Sequence, residues 1–259
     1  MNEIQEHLTL IFKTSNNTQQ HFKDKNQDDH IRFVYCGIQK IQKISQTFLM
    51  LYHQFDNSDE IEFSFGILAR SILMDMILML KLKSIISSHN SVSEELKQEV
   101  KNFCYSVIID GIKHEIDYIQ NDVNIEKVEK EKKYKIYDMH FPDAFDFSKE
   151  KPRLNLKKVM PISISKFCND CKDQNLNEKD RICSLYSYYS KYDHLSHLTS
   201  FLPAKISFEE RKKKIDSVVV LILMHLRDLL ATAYDFNKEY EILFPYIQEI
   251  KTHLDKYYS

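Results

Sequence analysis

At 259 residues and 30.9 kDa, with 43% hydrophobic and 29% charged residues, the chain has the composition of an ordinary folded protein and not of a disordered one. Three glycines and five prolines leave few positions for left-handed turns or helix breaks, which argues against a turn-rich β-sandwich or a glycine-built phosphate loop and predicts long helices. The 36 basic and 38 acidic residues nearly balance at a formal charge of −2, so no global field gathers nucleic acid or an anionic membrane, and only local patches could do so.

In chain order, residues 2–13 suit a short amphipathic helix, and the Asn- and Gln-rich run from Thr14 to Asp29 suits a loop. From Ile31 to about Phe55, apolar residues at Ile31, Val34, Ile38, Ile41, Ile44, Phe48 and Leu51 recur at spacings of three and four, one buried helical face. The next helix, about 60–88, is apolar on more than one face and should be covered by others. Ser91 with Glu94 offers a capping box for a helix running to about Asn121. The charge-alternating segment 124–136 suits a solvated helix or a connection.

Residues 137–161 hold Pro142, Pro152 and Pro161 and no clear period, which fits an irregular loop or a lid that turns Tyr137, His140, Phe141, Phe145 and Phe147 toward a pocket. Helices are then expected over 163–172 and 178–200. Ser207 with Glu210 caps another over 208–235, and Pro245 opens a last one ending near Tyr258. No repeat and no linker is evident. The expected fold is all-α, a single domain over residues 1–259, built as one bundle of about six or seven helices.

Two apolar stretches, Phe63 to Ile86 and Val218 to Ala233, are candidates for membrane spans by hydropathy. The first carries Arg70 and Asp75, and the second is short and holds His225, Arg227 and Asp228, so both read as core helices and no membrane partner is expected. The amino-terminal MNEIQEHLTLIFK has acids where a secretory signal carries basic residues, and five cysteines are an odd number for a disulfide framework. A cytosolic protein with free thiols is expected.

The densest polar string is YSYYSKYDHLSHLTS, residues 186–200. On a helix Tyr186, Ser190 and His194 share one face, with Asp193 beside them and His197 one turn on, so a hydroxyl, an imidazole and a carboxylate could bind a polar ligand or move a proton. Alternatively these side chains satisfy buried polar neighbours. Arg70 needs a carboxylate, a carbonyl or an anion if it is buried. Asp75 is five residues on and points to a different face, so interhelical pairs of Arg70 with Asp228, or of Arg227 with Asp75, are the candidates.

A central apolar helix bearing Arg70, followed by a helix bearing Tyr186, Ser190 and His194, resembles a bacterial all-helical family akin to the HEPN group, the higher eukaryotes and prokaryotes nucleotide-binding domains. In that family the Arg is typically followed four residues later by Glu, where this chain has Met74, with Asp75 one step round. The resemblance covers residues 62–82 and 183–200 and implies a stress-response or phage-defence protein acting on RNA or a nucleotide. The catalytic set would be Arg70, Tyr186, Ser190, Asp193, His194 and His197. HEPN ribonucleases use an Arg and, after four to six further residues, a His, and none of Arg32, Arg70, Arg153, Arg181, Arg211 and Arg227 is so followed. Arg70 and His194 could still meet from separate helices, the first holding a phosphate and the second a proton.

An RNA ligand would also draw on Lys205 and Arg211 to Lys214, which otherwise form a solvated face. Cys168, Cys171 and Cys183 lack a fourth ligand at zinc-site spacing, the HEID at His114 lacks the second His of a metalloprotease, and no cofactor motif is present, so neither metal nor cofactor is expected. The alternative to an RNA-directed activity is a non-enzymatic helical interaction module or homodimeric scaffold.

Overall fold

The computed structural model describes residues 3–22, 28–52, 54, 59–89, 91–142, 144–147, 152–155, 159–170, 176–190 and 207–258. Among them are nine α-helices: α1 Glu3–Gln19, α2 Asp29–Tyr52, α3 Asp59–Ser87, α4 Glu94–Asn121, α5 Lys127–His140, α6 Ile164–Asp170, α7 Leu176–Tyr189, α8 Phe208–Phe236 and α9 Phe244–Tyr258. Two 3-10 segments and one two-residue antiparallel pair, Phe145–Asp146 with Arg153–Leu154, complete the described elements. The chain is all-α, as its scarcity of glycine and proline implies.

Two compact units are present, one of residues 1–27, 34–90 and 164–259, the other of residues 28–33 and 91–163. In the larger unit α3 packs against α6, α7 and α8, and α8 also packs against α1, α7 and α9. Both central helices are apolar beyond a single stripe: Ile72, Leu73, Met76, Ile77, Leu78 and Met79 are buried on α3, and every residue from Val218 to Leu223 is buried on α8. A helix apolar all round has to be covered all round. Ile61–Ser87 is also the one helix among the described residues long and apolar enough to cross a membrane, and half of its apolar window is buried within the fold. α2 reaches α8 at Gly37, where a Cβ would lie 2.8 Å from Leu229 Cδ1. It reaches α3 where the Phe48 and Phe65 rings meet edge-on at 4.6 Å.

The smaller unit has its own core. Ile109 and Ile116 of α4 pack with Ala144, Phe145 and Val159, flanked by Tyr134, Tyr137, Phe141 and Phe147. Hydrogen bonds fix this arrangement: Asn155 N–H donates to the Ala144 carbonyl at 2.9 Å, and Met160 N–H donates to Ser106 Oγ at 3.0 Å. Of the aromatic side chains expected to face a pocket from a lid, Phe145 is thus buried in this core and Tyr137, Phe141 and Phe147 pack half-buried against it, while His140 is exposed at the end of α5. α5 itself buries no residue, as its alternating charges suggested.

Other boundaries shift for identifiable reasons. α1 runs six residues beyond the expected end, through the polar run to Gln19. Buried Ser15 and Thr18 donate their hydroxyls to the Ile11 and Thr14 carbonyls at 2.7 and 2.8 Å, so they enter the core with their polar groups satisfied by the helix itself. The cap of α4 is Ser93, whose Oγ accepts from Leu96 N–H at 3.2 Å, and not Ser91. Ser207 and Glu210 do form the capping box of α8.

Candidate functional site

Of the six expected site residues, the structure brings two together. The Arg70 guanidinium carbon lies 5.9 Å from the centre of the Tyr186 ring, at the outer edge of cation–π range, and joins α3 to α7. Ser190 follows the last turn of α7 and donates its hydroxyl to the Ser187 carbonyl at 2.9 Å. Asp193, His194 and His197 lie outside the described residues, as does Lys205.

The interhelical ion pairs differ from those expected. Asp75 pairs with Lys40 of α2 at 2.8 Å, and Asp228 pairs with Lys83 of α3 at 2.6 Å and with its neighbour Arg227 at 2.8 Å. A lysine on a flexible stem reaches these carboxylates from positions a face count along one helix would assign to solvent. Burial still holds the Asp75 carboxyl above the usual range, against the opposing pull of Lys40.

Arg211, expected to touch phosphate, instead turns inward. It pairs with Glu62 of α3 at 2.8 Å, with the two side chains only 10% and 7% exposed. Nearby, Tyr52 donates to Asp216 at 3.1 Å, and Tyr189 is buried with its hydroxyl pushed well up by burial and by the adjacent Tyr188, Glu62 and Asp216. This polar cluster was not legible in the sequence, since Glu62 and Asp216 sit among ordinary solvent-type charges.

A small cavity lies between Met76, Met79, Ile182 and Leu221, with Lys83, Glu178, His225 and Asp228 also on its wall. His225 is fully buried, burial pushes its imidazole down to about 4, and its Nε2 has no hydrogen-bond partner among the described residues. At about 10 Å3 the cavity has room for no more than a water, so it cannot be a substrate pocket.

A more open space is a groove of about 320 Å3 between α7 and α8, and another of about 400 Å3 lies between α1 and α9. Arg181, Ser184 and Leu185 line the first from α7, and Glu210, Lys213, Lys214 and Ser217 from α8. On α7 Ser184 and Leu185 lie three and four residues after Arg181, and on α8 Lys213, Lys214 and Ser217 lie three, four and seven after Glu210, so each set is a single stripe and the two stripes face each other. Three cations meet one carboxylate, and the Glu210 carboxylate accepts from Ser207 N–H at 3.3 Å in the capping box. Tyr188, next on the α7 stripe, lies under Lys214 Nζ at 5.0 Å, and Phe208 lies under Lys212 Nζ at 6.0 Å. Tyr186 is two residues from both Ser184 and Tyr188, about 200° round the helix, so Arg70 and Tyr186 meet on the flank of α7 away from the groove.

Of the groove residues, sequence reading found Lys213 and Lys214 as part of a basic run and missed Arg181, Ser184 and Ser217. The signal available was the stripe itself, a cation and a hydroxyl three apart on α7 matched by lysines and a hydroxyl on α8. No family model, no curated protein and no solved structure matches this chain.

Proposed function

We propose that this protein binds single-stranded RNA along the groove between α7 and α8. One observation carries the reading: Arg181, Lys213 and Lys214 converge with the hydroxyls of Ser184 and Ser217 on a groove of about 320 Å3, with the Tyr188 ring under Lys214 and the Phe208 ring under the neighbouring Lys212. Cations track phosphates, hydroxyls donate to phosphate oxygens, and aromatic faces stack unpaired bases, so this set suits a single strand better than a folded acidic protein. The resemblance to the HEPN group agrees with an RNA ligand and suggests a role in stress response or phage defence. On this reading Arg70 and Tyr186 hold α3 against α7, and the groove, not that pair, meets the ligand.

The test is fluorescence anisotropy with a labelled single-stranded RNA. Wild type should bind, and Lys213→Glu with Lys214→Glu should weaken binding at least tenfold while circular dichroism stays unchanged. Equal affinity in the double variant would overturn the reading. Incubation of the same protein with a mixed RNA pool separates a binder from a nuclease: loss of full-length RNA that His194→Ala abolishes would add catalysis to binding.

A further inference from the structure

α6 and α7 meet at two thiols. Cys168, near the end of α6, and Cys183, midway along α7, hold their sulfurs 2.7 Å apart, with the Cys183 thiol donating to Cys168 Sγ. Both residues are partly buried, so a small reagent has access while bulk solvent does not surround them. A disulfide bond is ~2.05 Å long, so bonding asks the sulfurs to approach by roughly 0.6 Å from their 2.7 Å separation.

We propose that Cys168 and Cys183 are a reversible dithiol–disulfide site that reacts with low-molecular-weight disulfides such as glutathione disulfide. The roles of the two sulfurs differ. Burial first, and then the hydrogen bond to Cys168, push the Cys183 thiol up to about 12, so it keeps its proton and serves as the donor. Cys168 Sγ accepts that bond, which stabilises negative charge on it and makes it the attacking sulfur.

In the first step the Cys168 thiolate attacks one sulfur of the reagent disulfide. The reagent S–S bond breaks, one glutathione thiolate leaves and takes up through solvent the proton that Cys168 gave up, and a mixed disulfide forms on Cys168. Cys183 then passes its proton to the departing thiolate as its sulfur attacks Cys168 Sγ, and the second glutathione leaves. Two protein thiols lose two electrons and two protons, the reagent disulfide takes up both, and no other oxidant is needed. The new bond ties α6 to α7 across residues 169–182, beside Arg181 and Ser184, and should raise thermal stability by restricting the unfolded chain. The site stands on the two sulfurs and does not depend on the ligand of the groove.

The experiment is intact mass and peptide mapping of the full chain after incubation with glutathione disulfide, with and without later dithiothreitol. The expected result is loss of two hydrogens, a single Cys168 to Cys183 cross-link, a Tm several degrees higher, and reversal by dithiothreitol. Cys171→Ser should behave as wild type, and Cys183→Ser should stall as a glutathione adduct on Cys168. A cross-link through Cys171, or wild type that carries only glutathione adducts or free thiols, would overturn the proposal, and the wild-type map decides this even if a variant fails to fold.

Discussion

His225 is buried where an imidazole cannot keep its proton. Its value in the fold is about 4, set by burial against a weaker opposing pull from Asp228, whereas in an unfolded chain it would sit near 6.5. Between those values the unfolded state binds the extra proton, so this residue's contribution is complete above pH 6.5 and is lost as pH falls toward 4. Burial lowers His30 and His253 as well, and they act in the same direction. The raised carboxyls of Asp75 and Asp216 act in the opposite direction in wild type and in His225→Leu alike, so between pH 7 and pH 4 the urea midpoint of wild type should fall relative to that of the variant. Equal slopes would show that the acid sensitivity comes from elsewhere. The Glu62–Arg211 pair gives a second test at this scale. Glu62→Ala leaves a guanidinium in a nearly closed site and should cost about 3–5 kcal/mol, while adding Arg211→Met to Glu62→Met should recover most of that loss. What the sequence could say of such residues was limited: spacing showed that Arg70 and Asp75 do not share a face, but that Lys40 reaches Asp75 depends on how α2 and α3 are set against each other.

At the scale of elements, periodicity located the long helices well because their apolar residues face a core. α2, α3 and α8 lie within a few residues of where the pattern put them, and Ser207 caps α8 as its sequence implied. Ser207→Ala should cost about 1 kcal/mol in chemical denaturation, since it frees the Glu210 N–H. Periodicity failed where polar residues entered the core with their own hydrogen bonds, as in the last turns of α1. The two helical glycines outside α3 separate propensity from packing. At Gly111, an exposed position of α4, nothing lies within 4 Å of an added Cβ, so Gly111→Ala should stabilise by about 0.5–1 kcal/mol. At Gly37 the same change meets buried Leu229 at 2.8 Å, so the gain should be cancelled or reversed. Equal stabilisation at both positions would mean that α2 and α8 can part without cost.

At the scale of the whole molecule, the all-helical class follows from composition, but the two units do not. The smaller unit gathers residues 28–33 with residues 91–163, and no composition shift marks a join between pieces so far apart in sequence. Its core is made from the segment that looked irregular, because Phe145 and Val159 find Ile109 and Ile116 only once the chain has folded back. The groove was hidden for a similar reason. A near-neutral chain with a run of lysines reads as solvated until Arg181 and Ser184 of α7 are seen to face Lys213, Lys214 and Ser217 of α8. The decisive measurement is the salt dependence of binding to a labelled single-stranded RNA, compared among wild type, Lys213→Gln with Lys214→Gln, and a control with Lys132→Gln and Lys133→Gln on solvated α5. Each phosphate contact steepens the slope of log affinity against log salt by about 0.7 for a single strand. Binding through the groove should give the groove variant a slope shallower by roughly 1.4 and leave the α5 control unchanged. Equal slopes in all three proteins, or no binding by wild type at low salt, would contradict an RNA-binding groove.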